Sequence, residues 1–253
     1  MLSGVYQQLY DLPKHQLLDF DNLHKVNAAI PRVLFSHNNY IQDYLQDWET
    51  LTHFQDKKIV LLARDPRDIA VSQFFQWKYR MRPHKKRLNQ YPPHNKNVSI
   101  FDFVTDTKVG IPRINTFFNR WAQALPTHNN ILVIRYEDMR KQPEETMKTV
   151  LNFIGTSVSD EKIKQAVAFA SYDNMKNLEN KTFFRFSGAR VKPGDRNNPD
   201  SYKVRRAKVG GFYDYFDDEQ LAIINTIIEE QLDPAFGYCS GKEYQELASC
   251  SKQ

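Results

Sequence analysis

Cysteine is almost missing from this chain: Cys239 and Cys250 are the only two in 253 residues, and both lie near the C-terminal end. They form no disulfide framework and have no metal-ligand spacing, which excludes a stapled secreted scaffold and a zinc module. Glycine is scarce, at 9 residues, and no glycine-rich loop followed by Lys-Ser or Lys-Thr occurs anywhere. A phosphate loop of that type is therefore not encoded. No apolar run approaches the roughly 20 residues of a membrane-spanning helix. Met1 to Leu12 has neither the charged start nor the apolar core of a signal peptide. These absences lead to the expectation of a cytoplasmic protein. Neither sign of charge dominates, since 35 Lys and Arg against 30 Asp and Glu leave a net +5. The distribution of charge then says more than its total.

What is present suits one domain, residues 1–253, long enough to bury a core. Internal repeats and low-complexity linkers are not evident. Basic residues gather twice. Lys78, Arg80, Arg82, Lys85, Lys86 and Arg87 form a run that reads as solvated surface. Between Phe183 and Lys208, eight Lys or Arg face only Asp195 and Asp200, in a stretch that also holds Phe183, Phe184 and Phe186. A long loop of that kind, about 183–210, is expected to act as a lid or binding loop.

Three strands are predicted: Arg32 to Ser36, Lys58 to Ala63 and Asn130 to Arg135. Helices fill the intervals. Ile114, Phe117, Phe118, Trp121 and Leu125 trace one apolar face, and Met147, Val150, Leu151 and Ile154 another, between Pro143 and Gly155. Asp217 and Gln220 resemble a capping box before Leu221, Ile224 and Ile228. Alternating strands and helices predict an α/β fold with a mostly parallel sheet covered on both faces. Ligands of such sheets bind beyond the carboxyl ends of the strands, where His37, Arg64 and Tyr136 fall.

The densest segment runs from Lys58 to Phe75. Ile59 to Ala63 is a short apolar run of the kind buried in a parallel sheet. Asp65 suits an N-cap, Pro66 the first helical position, and Ala70, Phe74 and Trp77 recur at helical spacing. A strand-to-helix turn presents backbone amides and a positive dipole end that can hold a phosphate, and Arg64 adds a planar fork of donors. The same residues also describe an ordinary turn with a surface arginine. His37, after Val33-Leu34-Phe35-Ser36, is open to two readings as well. It is either a structural histidine or an imidazole that accepts a proton near neutral pH.

Arg64, Asp68 and Ser72, an arginine at a strand end with a serine eight residues on, resemble the 3′-phosphate motif of sulfotransferases that use 3′-phosphoadenosine-5′-phosphosulfate. Arg135-Tyr136-Glu137-Asp138-Met139 and Arg205-Arg206-Ala207-Lys208-Val209-Gly210-Gly211-Phe212 resemble two further family elements, in order, across about 150 residues. The resemblance covers almost the whole chain except its beginning. It implies a P-loop NTPase-like sulfotransferase fold, with 3′-phosphoadenosine-5′-phosphosulfate as co-substrate and no metal. His37 would then be the general base. Arg64, Ser72, Arg205 and Arg206 would hold the 3′-phosphate, and Tyr172 would stack on adenine, its other reading being a packed aromatic at a helix start. Tyr136 would pack at the base of the site. Two departures stand out. Phe35 occupies a position where the family often has lysine, and Ala207 one where it usually has glycine.

The family opens with a strand and a loop of the type Pro-Lys-Ser-Gly-Thr-Thr-Trp, and Met1 to Tyr10 looks like the helix that follows it. The chain is thus expected to be N-terminally truncated relative to the family. The leading reading is sulfonate transfer to a hydroxyl or amine of a small molecule or glycan. The runner-up is a non-catalytic nucleotide- or partner-binding remnant of the fold. A nucleic-acid-binding protein ranks last, since no recognition helix or RNA-binding module is legible. Loops at His84 to Val98 and Phe183 to Ser201 are expected to shape the acceptor site.

Overall fold

The computed structural model describes residues 1–13, 22–35, 56–181 and 192–238. Two strands, β1 (Ile59–Ala63) and β2 (Ile131–Arg135), pair as parallel neighbours. The helices around them are α1 (Leu2–Leu9), α2 (Asn22–Val26), α3 (Pro66–Tyr79), α4 (Pro83–Leu88), α5 (Ile100–Thr105) and α6 (Ile111–Ala124). After β2 come α7 (Tyr136–Lys141), α8 (Pro143–Ile154), α9 (Asp160–Phe169), α10 (Tyr172–Asn180) and α11 (Asp218–Gln231). The chain is therefore α/β, with a parallel sheet flanked by helices.

Two compact units emerge. The first lies within Met1–Thr50, Lys58–Val60 and Glu137–Ala207, the second within Leu51–Lys57, Leu61–Tyr136 and Lys208–Gln253. In the first, α1 and α8 both pack on α9. Val5, Met147, Leu151, Ile163 and Ala166 make its core, each large side chain contributing about 1.5–3 kcal/mol by burial. Pro143 opens α8, and Gly155 closes it with φ +86°, a conformation that favours glycine. In the second unit α3 packs on α5 and α6, and α6 on α11. Phe74, Trp77 and Phe103 interlock there, with ring centroids 5.2–5.8 Å apart. The Asp217–Gln220 capping box of α11 is complete in both directions.

Three expectations change. Arg32 to Phe35 carry no strand, and Leu34 and Phe35 are more than half exposed. An apolar run has the composition of a strand, but a strand also needs a neighbouring ladder. β1 is covered unevenly: Leu61 and Ala63 are buried, whereas Leu62 is 53% exposed and Val60 39%. Successive side chains point to opposite faces, so a continuous apolar run fits one-sided cover as well as two-sided. The basic run is not all solvated, because Lys86 is 2% exposed. Its ammonium lies 4.9 Å from the Trp77 ring centre and 3.2 Å from His94 Nδ1. Burial lowers the Lys86 pKa.

Candidate functional site

In the second unit, Arg64 follows the last residue of β1, and α3 begins two residues later. Asp65 is the N-cap, as its sequence position predicts, and its carboxylate accepts from the Arg67 amide at 2.8 Å. The same carboxylate holds the buried Arg67 guanidinium at 2.6 Å. Arg67 continues to Asn225 Oδ1 at 2.7 Å and lies over the Phe212 ring. The Arg67 amide, one of those at the strand-to-helix turn, is therefore already taken by the cap. The first turn of α3 is already capped by one buried carboxylate and contains a second, Asp68, so its dipole is occupied. Arg64 is the side chain that stands at this strand end, immediately after β1.

Arg64 is partly exposed at 23%. Its Nη2 donates to Asp68 Oδ2 at 3.1 Å and to the Lys208 carbonyl at 3.0 Å. The guanidinium lies 4.3 Å from the Tyr136 ring centre, a cation–π seat. Its Nε is buried and has no hydrogen-bond partner among the described residues. The arginine is thus oriented by an acid, a carbonyl and an aromatic face, with donor capacity to spare.

Asp68 does more than the motif suggests. It is 3% exposed and accepts from the amides of Gly210 and Phe212, each at 3.0 Å, as well as from Arg64. Burial raises its pKa, while the Arg64 charge and the hydrogen bonds from Arg64 and the Phe212 amide oppose the rise. Gly210 adopts φ +66°, the left-handed turn that feeds the 3-10 segment Gly211–Tyr215. Ser72 is exposed on α3.

In the first unit, Tyr172 is the first residue of α10, after the N-cap Ser171. Its hydroxyl donates to the Arg205 carbonyl at 3.0 Å. The Arg205 guanidinium pairs with Asp200 at 3.6 Å, and Arg206 is exposed. The structure thus brings Tyr172 to Arg205, and Arg64 to Asp68 and Tyr136. The residue expected to be glycine, Ala207, has φ +52°, so the backbone does take the left-handed form here without a glycine. His37 lies outside the described residues.

Sequence reasoning missed Glu179. It is fully buried and accepts from the amides of Lys203 and Val204, each at 2.8 Å. One signal was available: Glu179 follows Tyr172 by seven residues, on the same helical face. Among the described residues, no group of three or more His, Cys, Asp or Glu is arranged to hold a metal. No helix among them is long and apolar enough to cross a membrane.

A sulfotransferase domain model matches residues 19–235. Cytosolic sulfotransferase 17 of Arabidopsis thaliana is 25% identical over 197 residues, covering 73% of this chain and 52% of that protein. A flavonol 4′-sulfotransferase of Flaveria chlorifolia is 32% identical over 117 residues, covering 44% and 35%. The chain spans about half the length of the curated relatives it matches. Among solved structures, mouse sulfotransferase SULT7A1 complexed with PAP aligns with a TM-score of 0.55 at 20% identity, covering 77% of this chain and 65% of that one. Retinol dehydratase, in complex with androsterone and the inactive cofactor PAP, aligns at 0.50 with 26% identity, covering 71% and 48%.

Proposed function

Since the chain belongs to the sulfotransferase family, we propose that it transfers a sulfonate group from 3′-phosphoadenosine-5′-phosphosulfate to a hydroxyl or amine. The His37 imidazole takes the acceptor's proton as the acceptor oxygen or nitrogen attacks sulfur. The bond from sulfur to the bridging oxygen breaks, and adenosine 3′,5′-bisphosphate leaves with the electron pair. Catalysis of this kind rests on in-line positioning and on neutralising charge at the non-bridging oxygens. Arg64, Ser72, Arg205 and Arg206 hold the 3′-phosphate, and Tyr172 stacks on adenine. The acceptor is a small molecule or glycan, and the protein works in the cytoplasm, in keeping with relatives named cytosolic sulfotransferases.

The observation that carries the reading is Arg64. It sits at the carboxyl end of a parallel strand, held by Asp68, the Lys208 carbonyl and the Tyr136 ring, with a buried Nε donor to spare. Solved relatives with PAP bound support the identity of the nucleotide. Arg64→Ala is expected to weaken adenosine 3′,5′-bisphosphate binding by about 1.5–3 kcal/mol, the worth of a charge-assisted hydrogen bond. Titration calorimetry on both proteins decides it, and unchanged affinity removes Arg64 from the site.

A second reading is nucleotide binding without transfer. Turnover by the 253-residue chain eliminates that reading. In a form that turns over, His37→Ala is expected to slow transfer about 10²–10⁴-fold with nucleotide affinity nearly intact.

A further inference from the structure

Helix α10 presents Tyr172, Lys176 and Glu179 at spacings of four and three, hence on one face. All three reach the same short run of chain. Glu179 accepts from the Lys203 and Val204 amides, one per carboxylate oxygen. The Tyr172 hydroxyl donates to the Arg205 carbonyl, and Lys176 Nζ lies 3.4 Å from both that carbonyl and that hydroxyl. The Lys176 ammonium also sits over the rings of Tyr172 and Tyr202, at 5.8 and 5.3 Å from their centres.

These contacts to the run end on main-chain atoms. They set the path of residues 203–205 without using the Arg205 guanidinium. That guanidinium is turned to a different group, Asp200, at 3.6 Å. A fully buried carboxylate is costly unless its oxygens are met. Glu179 meets that cost with two adjacent amides, an arrangement that defines the backbone more tightly than a side-chain pair would.

We propose that Glu179 is a positioning residue for nucleotide binding. It fixes the backbone of residues 203–205 so that Arg205 is preset for the 3′-phosphate, and Tyr172 and Lys176 fix the Arg205 carbonyl from the same helix face. Adenine and phosphate recognition are then coupled, because the ring that stacks on the base carries the hydroxyl that holds the arginine's backbone. This inference rests on the roles proposed above for Arg205 and Tyr172.

The test is calorimetry with adenosine 3′,5′-bisphosphate and with adenosine 5′-monophosphate, which lacks the 3′-phosphate. The proteins are the wild type, Glu179→Gln, Arg205→Ala and the double variant. Glu179→Gln is expected to weaken the bisphosphate about 10-fold and the monophosphate less than about 2-fold. In the Arg205→Ala background its further effect is expected to fall below about 2-fold, since the group it positions is gone. Equal losses for both nucleotides, or a full loss that persists without Arg205, reduce Glu179 to a structural brace and overturn the proposal. Should circular dichroism show Glu179→Gln unfolded, Tyr172→Phe replaces it. That variant keeps the ring and loses the hydroxyl, and its loss is likewise expected to be non-additive with Arg205→Ala; additivity overturns the coupling. A wild type that binds neither nucleotide overturns the functional reading and this inference with it. A wild type that binds beside variants that bind equally well overturns this inference alone.

Discussion

Two regions of the molecule solve one problem with the same device and different surroundings. In one, buried Glu179 takes the amides of Lys203 and Val204 and meets N–H donors alone among its described contacts. In the other, buried Asp68 takes the amides of Gly210 and Phe212 and shares its charge with Arg64. Backbone amides alone suffice to hold a buried carboxylate, so the arginine at Asp68 is an addition with its own use. Asp68 orients Arg64 and anchors the following turn together, whereas Glu179 anchors a turn and leaves Arg205 to other partners. The glycine content differs too. Gly210 takes its left-handed turn freely, while Ala207 takes φ +52° against its side chain.

The largest expected effect is at Asp68. Asp68→Ala strands two buried amides and frees Arg64, and is expected to cost about 3–5 kcal/mol in urea unfolding. It should also weaken adenosine 3′,5′-bisphosphate binding. Glu179→Ala strands two amides and no cation, with an expected cost of about 2–3 kcal/mol. If the two variants prove equal, the Arg64 pair adds nothing and the contrast between the regions fails.

The third prediction uses pH. Burial raises the Asp68 pKa above its ordinary value of 3.8, so the folded protein takes up this proton before the unfolded chain does. The contribution of a raised group is fully present below its unfolded pKa and is lost as pH rises through the folded one. Wild type should therefore gain stability relative to Asp68→Asn as pH falls from neutral toward the ordinary carboxylate range, as followed by thermal unfolding across that window. A flat difference would mean that the Arg64 charge and the amides fully offset burial. The smallest effect is at Ala207. Ala207→Gly relieves left-handed strain and is expected to stabilise by about 0.5–1 kcal/mol in the same urea measurement.

Much of this was legible because local chemistry and tertiary packing agree along α3, α8 and α11. Pro66 with Asp65, Pro143 with Gly155, and Asp217 with Gln220 mark their ends where the chain places them. β1 and β2 were legible from apolar runs, and the seat of Arg64 followed from its strand. Residues 32–35 misled because Val33, Leu34 and Phe35 have strand composition, and composition does not show whether a partner strand lies beside them among the described residues. Lys86 misled because a lysine in a charged run looks like its neighbours until a tryptophan packs against it. The grip of α10 was hidden for a different reason. A carboxylate that binds backbone has no counterpart side chain in the sequence, which leaves only its spacing from Tyr172 as a sign.

The backbone grip of Glu179 also separates what a sequence can vary from what it must keep. The side chains of Lys203 and Val204 play no part in the hydrogen bonds that hold their amides. Exchanging them changes the charge and shape that the segment presents while the amide contacts to Glu179 stay the same. Exchanging the acid on α10 moves the path and leaves the offered side chains untouched. Surface chemistry and loop geometry are thus written in different residues, and a lineage can change the first without renegotiating the second.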